Sequence, residues 1–114
     1  MIECISVVKS SNVNDFEIWL KYHLNIGFDF ISIYDNDSTA DIKEVCDQYE
    51  NVSYNKVSGY IRQFKIYDEH FRNSKANWIM PIDSDEYLWL DFKNIQEALH
   101  YLNSNFHWGM YAIR

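Results

Sequence analysis

An α/β fold with a mostly parallel sheet, covered by helices on both faces, is the architecture this sequence predicts. Apolar, β-branched runs of strand length alternate four times with stretches of helical periodicity, the pattern of βαβ units. Hydrophobic residues make up 47% and aromatics 18% of the chain, enough for a packed core. Its 114 residues fit one domain, and no repeat, linker or low-complexity tract divides them.

Ile2–Val8 reads as the first strand, followed by the polar loop Lys9-Ser10-Ser11-Asn12. Asn14, with Glu17 three residues on, forms a capping box for a helix. Phe16, Trp19, Leu20, His23 and Leu24 then share one buried stripe, and Gly27 closes the helix where a left-handed residue is favoured. Positions 28–34 form a second strand running into the polar turn Asp35-Asn36-Asp37-Ser38-Thr39. Ser38 or Thr39 is expected to cap the next helix, whose inward face is Ile42, Val45, Cys46 and Tyr49. Val52–Val57 is a weaker third strand suited to an edge. After Gly59, a helix over 61–75 is expected to bury Ile61, Phe64, Tyr67 or Asp68, and Phe71. A fourth strand begins at Trp78. Beyond it, Asn94 and Glu97 form a second capping box, and Ile95, Ala98, Leu99 and Leu102 give that helix its face. Positions 107–113 read as one more strand.

In a parallel sheet, ligands sit at the carboxyl ends of the strands. Polar clusters follow the first, second and fourth strands at 9–12, 35–39 and 83–86, so all three are expected at one sheet edge. The last cluster, Asp83-Ser84-Asp85-Glu86, sets three carboxylates within four residues. At ~4 Å and an effective dielectric of ~20, each like-charge pair costs about 4 kcal/mol before screening. A divalent cation with a preference for hard oxygen ligands, magnesium or manganese, relieves that repulsion. Solvation on a surface turn is the alternative, since salt and water screen exposed charges.

Other chemistries find no support. A net charge of −7 argues against a nucleic-acid binder working through a basic patch. The three glycines form neither a Walker phosphate loop nor GxGxxG, and no serine sits in a GxSxG elbow. An Asp-x-Asp phosphatase of the haloacid-dehalogenase kind places its pair after the first strand, not the fourth. His23, His70, His100 and His107 lack paired-ligand spacing and read as helix-face, core or surface residues. Trp19, Trp78 and Trp89 read as packing residues rather than sugar platforms. Cys4 and Cys46, without CxxC spacing, read as buried free thiols of a reducing compartment. Asn36-Asp37-Ser38 and Asn51-Val52-Ser53 fit the glycosylation acceptor pattern, which matters only in a secreted chain. No apolar run approaches the ~20 residues of a membrane span, and no signal peptide precedes the first strand, so a cytoplasmic location is favoured.

The order of several segments resembles glycosyltransferases of the Rossmann-like GT-A fold, in particular family 92 and the related family 2-like group. The resemblance covers nearly the whole chain. It rests on Val7-Val8-Lys9, Trp19-Leu20-Lys21-Tyr22-His23-Leu24-Asn25-Ile26-Gly27-Phe28 and Ile33-Tyr34-Asp35-Asn36-Asp37-Ser38-Thr39. Gln63 with Tyr67, Trp78-Ile79 and Ile82-Asp83-Ser84-Asp85-Glu86-Tyr87-Leu88 complete it.

The resemblance implies a metal-dependent transfer of a hexose from a nucleotide-diphosphate sugar, a UDP-sugar favoured, to a hydroxyl on a glycan, lipid or protein. Asp83 and Asp85 match the Asp-x-Asp pair. Asp85 would ligate manganese or magnesium, and Asp83 would lie against the ribose or the metal shell. Asp35 matches the acidic residue facing the base, with Asp37 in the same loop. Lys9 lines the nucleotide, and Arg62 or Gln63 reaches the diphosphate. Family members continue further, with acceptor-binding segments and a general-base carboxylate. The chain therefore reads as an N-terminal, donor-binding portion truncated at its C-terminus. No residue maps to that base; Glu86 is a weak candidate, better suited to supporting the metal pair or capping the strand. The rival expectation is a nucleotide-sugar-binding remnant without turnover, and a phosphate-transferring Asp-x-Asp enzyme is a weaker third. An apolar face left by a missing half would favour self-association.

Overall fold

The structure, a computed structural model, describes residues 1–60 and 62–105. Ile61 and the strand expected at 107–113 lie outside the described residues. The elements in chain order are β1 (Ile2–Val8), α1 (Val13–Asn25), β2 (Phe30–Asn36), α2 (Ile42–Cys46), β3 (Val52–Val57), α3 (Gln63–Asn73), β4 (Trp78–Pro81) and α4 (Ile95–Asn105). The four strands form one sheet in the order β3-β2-β1-β4, and every neighbouring pair is parallel. The expected α/β architecture is present, with β3 on an edge.

Strand alternation and register divide the sheet into two unlike faces. Cys4, Ser6 and Val8 pair with Ile31, Ile33 and Asp35, so these six share a face. Cys4, Val8, Ile31 and Ile33 belong to the core cluster, with Phe16, Trp19 and Leu20 of α1, Ile42, Val45 and Cys46 of α2, and Ile95 of α4. Glu3, Ile5 and Val7, which pair with Phe30, Ser32 and Tyr34, point to the other face. That face mixes apolar residues with Glu3, Ser32 and Tyr34, and α3 lies on it.

Polar contacts dominate how α3 is held. Glu3, only 3% exposed, accepts hydrogen bonds from Ser32 Oγ, from His70 Nε2 at 2.9 Å and from Ser74 Oγ at 2.7 Å. Tyr34 OH meets the other ring nitrogen of His70 at 2.9 Å. Tyr67 is the one described residue of α3 that is buried, while Phe64 is 89% exposed and Phe71 is also exposed. The expected apolar stripe through Phe64 and Phe71 is therefore corrected. The 3.6-residue spacing is right for a helix, but the sheet surface beneath it is built from Glu3, Ser32 and Tyr34.

Two caps also differ from expectation. α1 is capped by Asn12, whose side chain accepts the Asp15 N–H at 3.1 Å, whereas Asn14 is already helical. Glu17 instead pairs with Lys21 at 2.8 Å, one turn on. α2 is capped by Asp41, accepting from Glu44 N–H, because Ser38 and Thr39 are engaged with the loop after β1. The Asn94 cap stands: its Oδ1 accepts the Glu97 N–H at 2.9 Å, while the Glu97 carboxylate reaches back to Lys93 N–H. Gly27 has φ +113°, and a Cβ there would collide with the Gln96 side chain, which donates to the Gly27 carbonyl. This close approach fastens the start of α4 to the end of α1, beside the 2.8 Å bond from Ile95 N–H to the Ile26 carbonyl.

Candidate active site

Because all strands run parallel, their carboxyl ends and the loops that follow share one edge. The loops after β1 and β2 are bonded directly together. Ser10 N–H donates to Ser38 Oγ at 2.9 Å, and the Thr39 and Ala40 amides donate back to the Ser10 carbonyl at 3.0 and 3.2 Å. Lys9 is exposed at the start of this seam.

The acidic residues after β2 have structural partners. Asp35 is 6% exposed; its Oδ1 accepts the Ser38 N–H at 3.1 Å and its Oδ2 the Tyr54 hydroxyl at 2.6 Å. The bond to Asp35 pushes the Tyr54 phenol up to about 12. Asp37 has φ +56°, a left-handed conformation that Asp tolerates better than most residues. Its carboxylate accepts the Gly59 N–H at 2.9 Å, tying this turn to the segment after β3. That bond holds the Asp37 carboxyl below its ordinary range; burial opposes it, and Ser58, Lys9 and Lys56 add smaller effects in the lowering sense. A cleft of about 410 Å³ opens here, lined in part by Asp35, Asp37, Asp41, Tyr54 and Lys56. Asp83 and Asp85 do not line it.

The loop after β4 is held from beneath by α1. Ile82 is buried and its N–H donates to the Ile5 carbonyl at 3.0 Å, carrying the strand direction to the edge. Asp83 to Glu86 forms a tight turn closed by Glu86 N–H on the Asp83 carbonyl at 3.0 Å. The Glu86 carboxylate closes it a second time by accepting the Asp83 N–H at 3.1 Å. This local role agrees with the strand-capping expectation for Glu86. Trp19, fully buried, donates its indole N–H to the carbonyls of both Asp83 and Glu86, at 3.0 and 2.8 Å. Tyr22 OH donates to the Leu88 carbonyl at 2.7 Å.

His23, also fully buried, accepts the Leu88 N–H on Nε2 at 3.2 Å. Its Nδ1 lies 2.9 Å from the Trp19 carbonyl and must therefore carry the proton. Burial lowers the His23 pKa, with the Trp19 carbonyl opposing it, which suits this neutral tautomer. Sequence reasoning placed Trp19 and His23 correctly in the core but missed that their polar atoms hold the acidic turn. The available signal was two aromatic residues with polar tips, four apart on an apolar stripe.

Asp83 and Asp85 are both exposed. Gln63, at the start of α3, donates to Asp83 Oδ1 at 3.1 Å and to Tyr67 OH at 2.8 Å, so α3 brings Gln63 to the acidic turn. The Asp85 carboxylate makes no hydrogen bond or ion pair with the described residues, and neither does the Arg62 guanidinium. Among the described residues no group of three or more His, Cys, Asp or Glu side chains converges as a complete metal cage. Two exposed carboxylates two residues apart are nevertheless the donor set magnesium and manganese use when phosphates and water complete the shell. No described helix is long and apolar enough to cross a membrane.

Comparison with curated proteins and with solved structures returned no match. The family model described as glycosyltransferase family 92 matches residues 1–111, nearly the whole chain. The match spans the whole parallel sheet and the loops at its carboxyl edge, and this chain belongs to glycosyltransferase family 92.

Proposed function

We propose that the edge bearing Lys9, Asp35, Asp37, Arg62, Gln63, Asp83 and Asp85 is a donor site of GT-A type, serving transfer of a hexose from a UDP-sugar to a hydroxyl acceptor. The observation that carries this reading is the parallel sheet, which sets the acidic turn at 83–86 beside the carboxyl end of the central strand β1. Asp85, exposed and without a partner among the described residues, together with Asp83, would hold magnesium or manganese, which when bound stabilises the negative charge of a leaving diphosphate. Arg62 and Lys9 are exposed cations at the same edge, suited to phosphate oxygens. Gln63 orients Asp83 through its amide. Asp35, already bonded to Ser38 and Tyr54, contributes a fixed polar wall rather than a free carboxylate.

One observation favours a second reading, a nucleotide-sugar-binding module without turnover. Glu86, the only carboxylate beside the pair in that turn, is engaged with the Asp83 N–H, leaving the general base unassigned. The two readings share the donor site and differ in catalysis.

Titration with UDP, with and without manganese, on wild type and Asp85→Ala tests the shared part. Metal-dependent binding abolished by the substitution is the expected result; no binding under any condition defeats both readings. Transfer or hydrolysis of a UDP-sugar by the same chain then separates enzyme from binding module.

A further inference from the structure

The acidic turn is anchored by buried side chains of α1. We propose that Trp19 and His23 are positioning residues, setting the backbone of the Asp83–Glu86 turn and through it the placement of the two carboxylates that receive the donor; this rests on the donor-site reading above. The Trp19 indole N–H bridges the carbonyls at the first and last residues of the turn. The same Asp83 carbonyl accepts the Glu86 amide, so one atom is held from two directions. His23 fixes the exit of the loop by accepting the Leu88 N–H, while Tyr22 holds the Leu88 carbonyl.

Trp19 and His23 lie one helical turn apart, with ring centroids 4.6 Å from each other, and His23 donates to the Trp19 carbonyl. They form a single rigid unit rooted in the core beside Phe16 and Leu20. With the turn's carbonyls drawn inward to buried donors, the Asp83 and Asp85 side chains are left in solvent. Loss of groups that orient ligating carboxylates commonly weakens metal affinity or activity by about 10- to 100-fold.

The experiment measures manganese-dependent UDP affinity by calorimetry for wild type, Trp19→Phe, His23→Leu and His23→Gln, at a temperature where circular dichroism shows each folded. Amide hydrogen exchange at Glu86 and Leu88 is followed in parallel. Trp19→Phe keeps the ring but removes the bridging donor, and His23→Leu removes the acceptor. Each is expected to weaken binding by about 10- to 100-fold. His23→Gln retains an acceptor for the Leu88 N–H and is expected to recover most of the affinity, which a merely space-filling histidine would not show. A folded Trp19→Phe with wild-type affinity overturns the proposal; should that variant fail to fold, the two His23 variants decide, and equal affinity between them overturns it. If wild type itself binds no UDP, the donor reading falls, and exchange decides whether the clamp holds the turn. Faster exchange of the Glu86 amide in Trp19→Phe supports it, and unchanged exchange refutes it.

Discussion

Replacing Glu3 with Leu should be among the most destabilising single changes outside the apolar core. Glu3 is 3% exposed, and its two oxygens accept from Ser32, His70 and Ser74. A hydrogen bond to a charged group contributes about 1.5–3 kcal/mol net, so three of them give an upper range of about 4.5–9 kcal/mol. Leucine returns part of that loss as apolar burial, about 1.5–3 kcal/mol. It leaves the Ser32 and Ser74 hydroxyls and the His70 Nε2–H without their acceptor, although His70 keeps Tyr34 on its other nitrogen and some access to water, its side chain being 14% exposed. The expected net loss is about 3–5 kcal/mol, the range seen when one member of a buried pair is removed. Against a total stability of about 5–15 kcal/mol, that is a large fraction. Urea unfolding followed by tryptophan fluorescence measures it: with a slope of about 1–3 kcal/mol/M, the midpoint should fall by about 2 M. The first region to lose hydrogen-exchange protection should be α3, which the Glu3 cluster attaches to the sheet. A midpoint shift corresponding to less than about 1 kcal/mol, the worth of one ordinary hydrogen bond, would refute the assignment of Glu3 as the centre of that attachment.

The buried His23 predicts acid sensitivity. Its folded pKa lies below the unfolded value of 6.5, so its contribution is fully present above that pH. As pH falls, the unfolded chain binds a proton that the folded chain refuses. Melting temperature should therefore drop as pH falls below about 6.5 and on through the folded pKa, with a shallower slope in His23→Gln. Cys4 and Cys46 are buried free thiols, and burial, with help from neighbouring carboxylates, pushes both pKa values up, that of Cys46 to about 12. Iodoacetamide at pH 8 should leave both unmodified in the native protein and label both in denaturant, as mass spectrometry can show. Ser6 Oγ is fully buried and finds no hydrogen-bond partner among the described residues. Ser6→Ala should be neutral or stabilising by about 1 kcal/mol in the same urea assay, since it removes an unsatisfied group.

Much of the fold is legible in the sequence because local pattern and tertiary environment agree. The Val52–Val57 alternation marks an edge strand, and the Phe16, Trp19, Leu20 and His23 spacing marks the buried face of α1; both appear as read. The cap of α2 was misplaced for a non-local reason. Ser38 and Thr39 have suitable side chains, but the Ser38 hydroxyl and the Thr39 amide are bonded to Ser10 in the loop after β1, and Asp41 takes the role. The face of α3 failed in the same way. Its own periodicity could not show that the surface awaiting it carries a carboxylate, a serine and a tyrosine. At the site, spacing alone located the acidic turn and the edge on which it lies. It could not show that Asp35 is bonded to Tyr54, that Glu86 closes its own turn, or that α1 holds that turn by an indole, because each contact joins residues that only the folded chain brings together.

In the proposed function, the shared edge after β1, β2 and β4 receives a metal-bound nucleotide. Paramagnetic broadening of backbone amide signals by manganese, followed by addition of UDP with magnesium, tests it most directly. Manganese is expected to broaden the amides of Asp83 to Glu86 first. UDP with magnesium should then shift those of Lys9 to Asn12 and Asp35 to Thr39, and Asp85→Ala should abolish both effects. Broadening centred elsewhere, or spread evenly over the surface carboxylates and unchanged in Asp85→Ala, would contradict it.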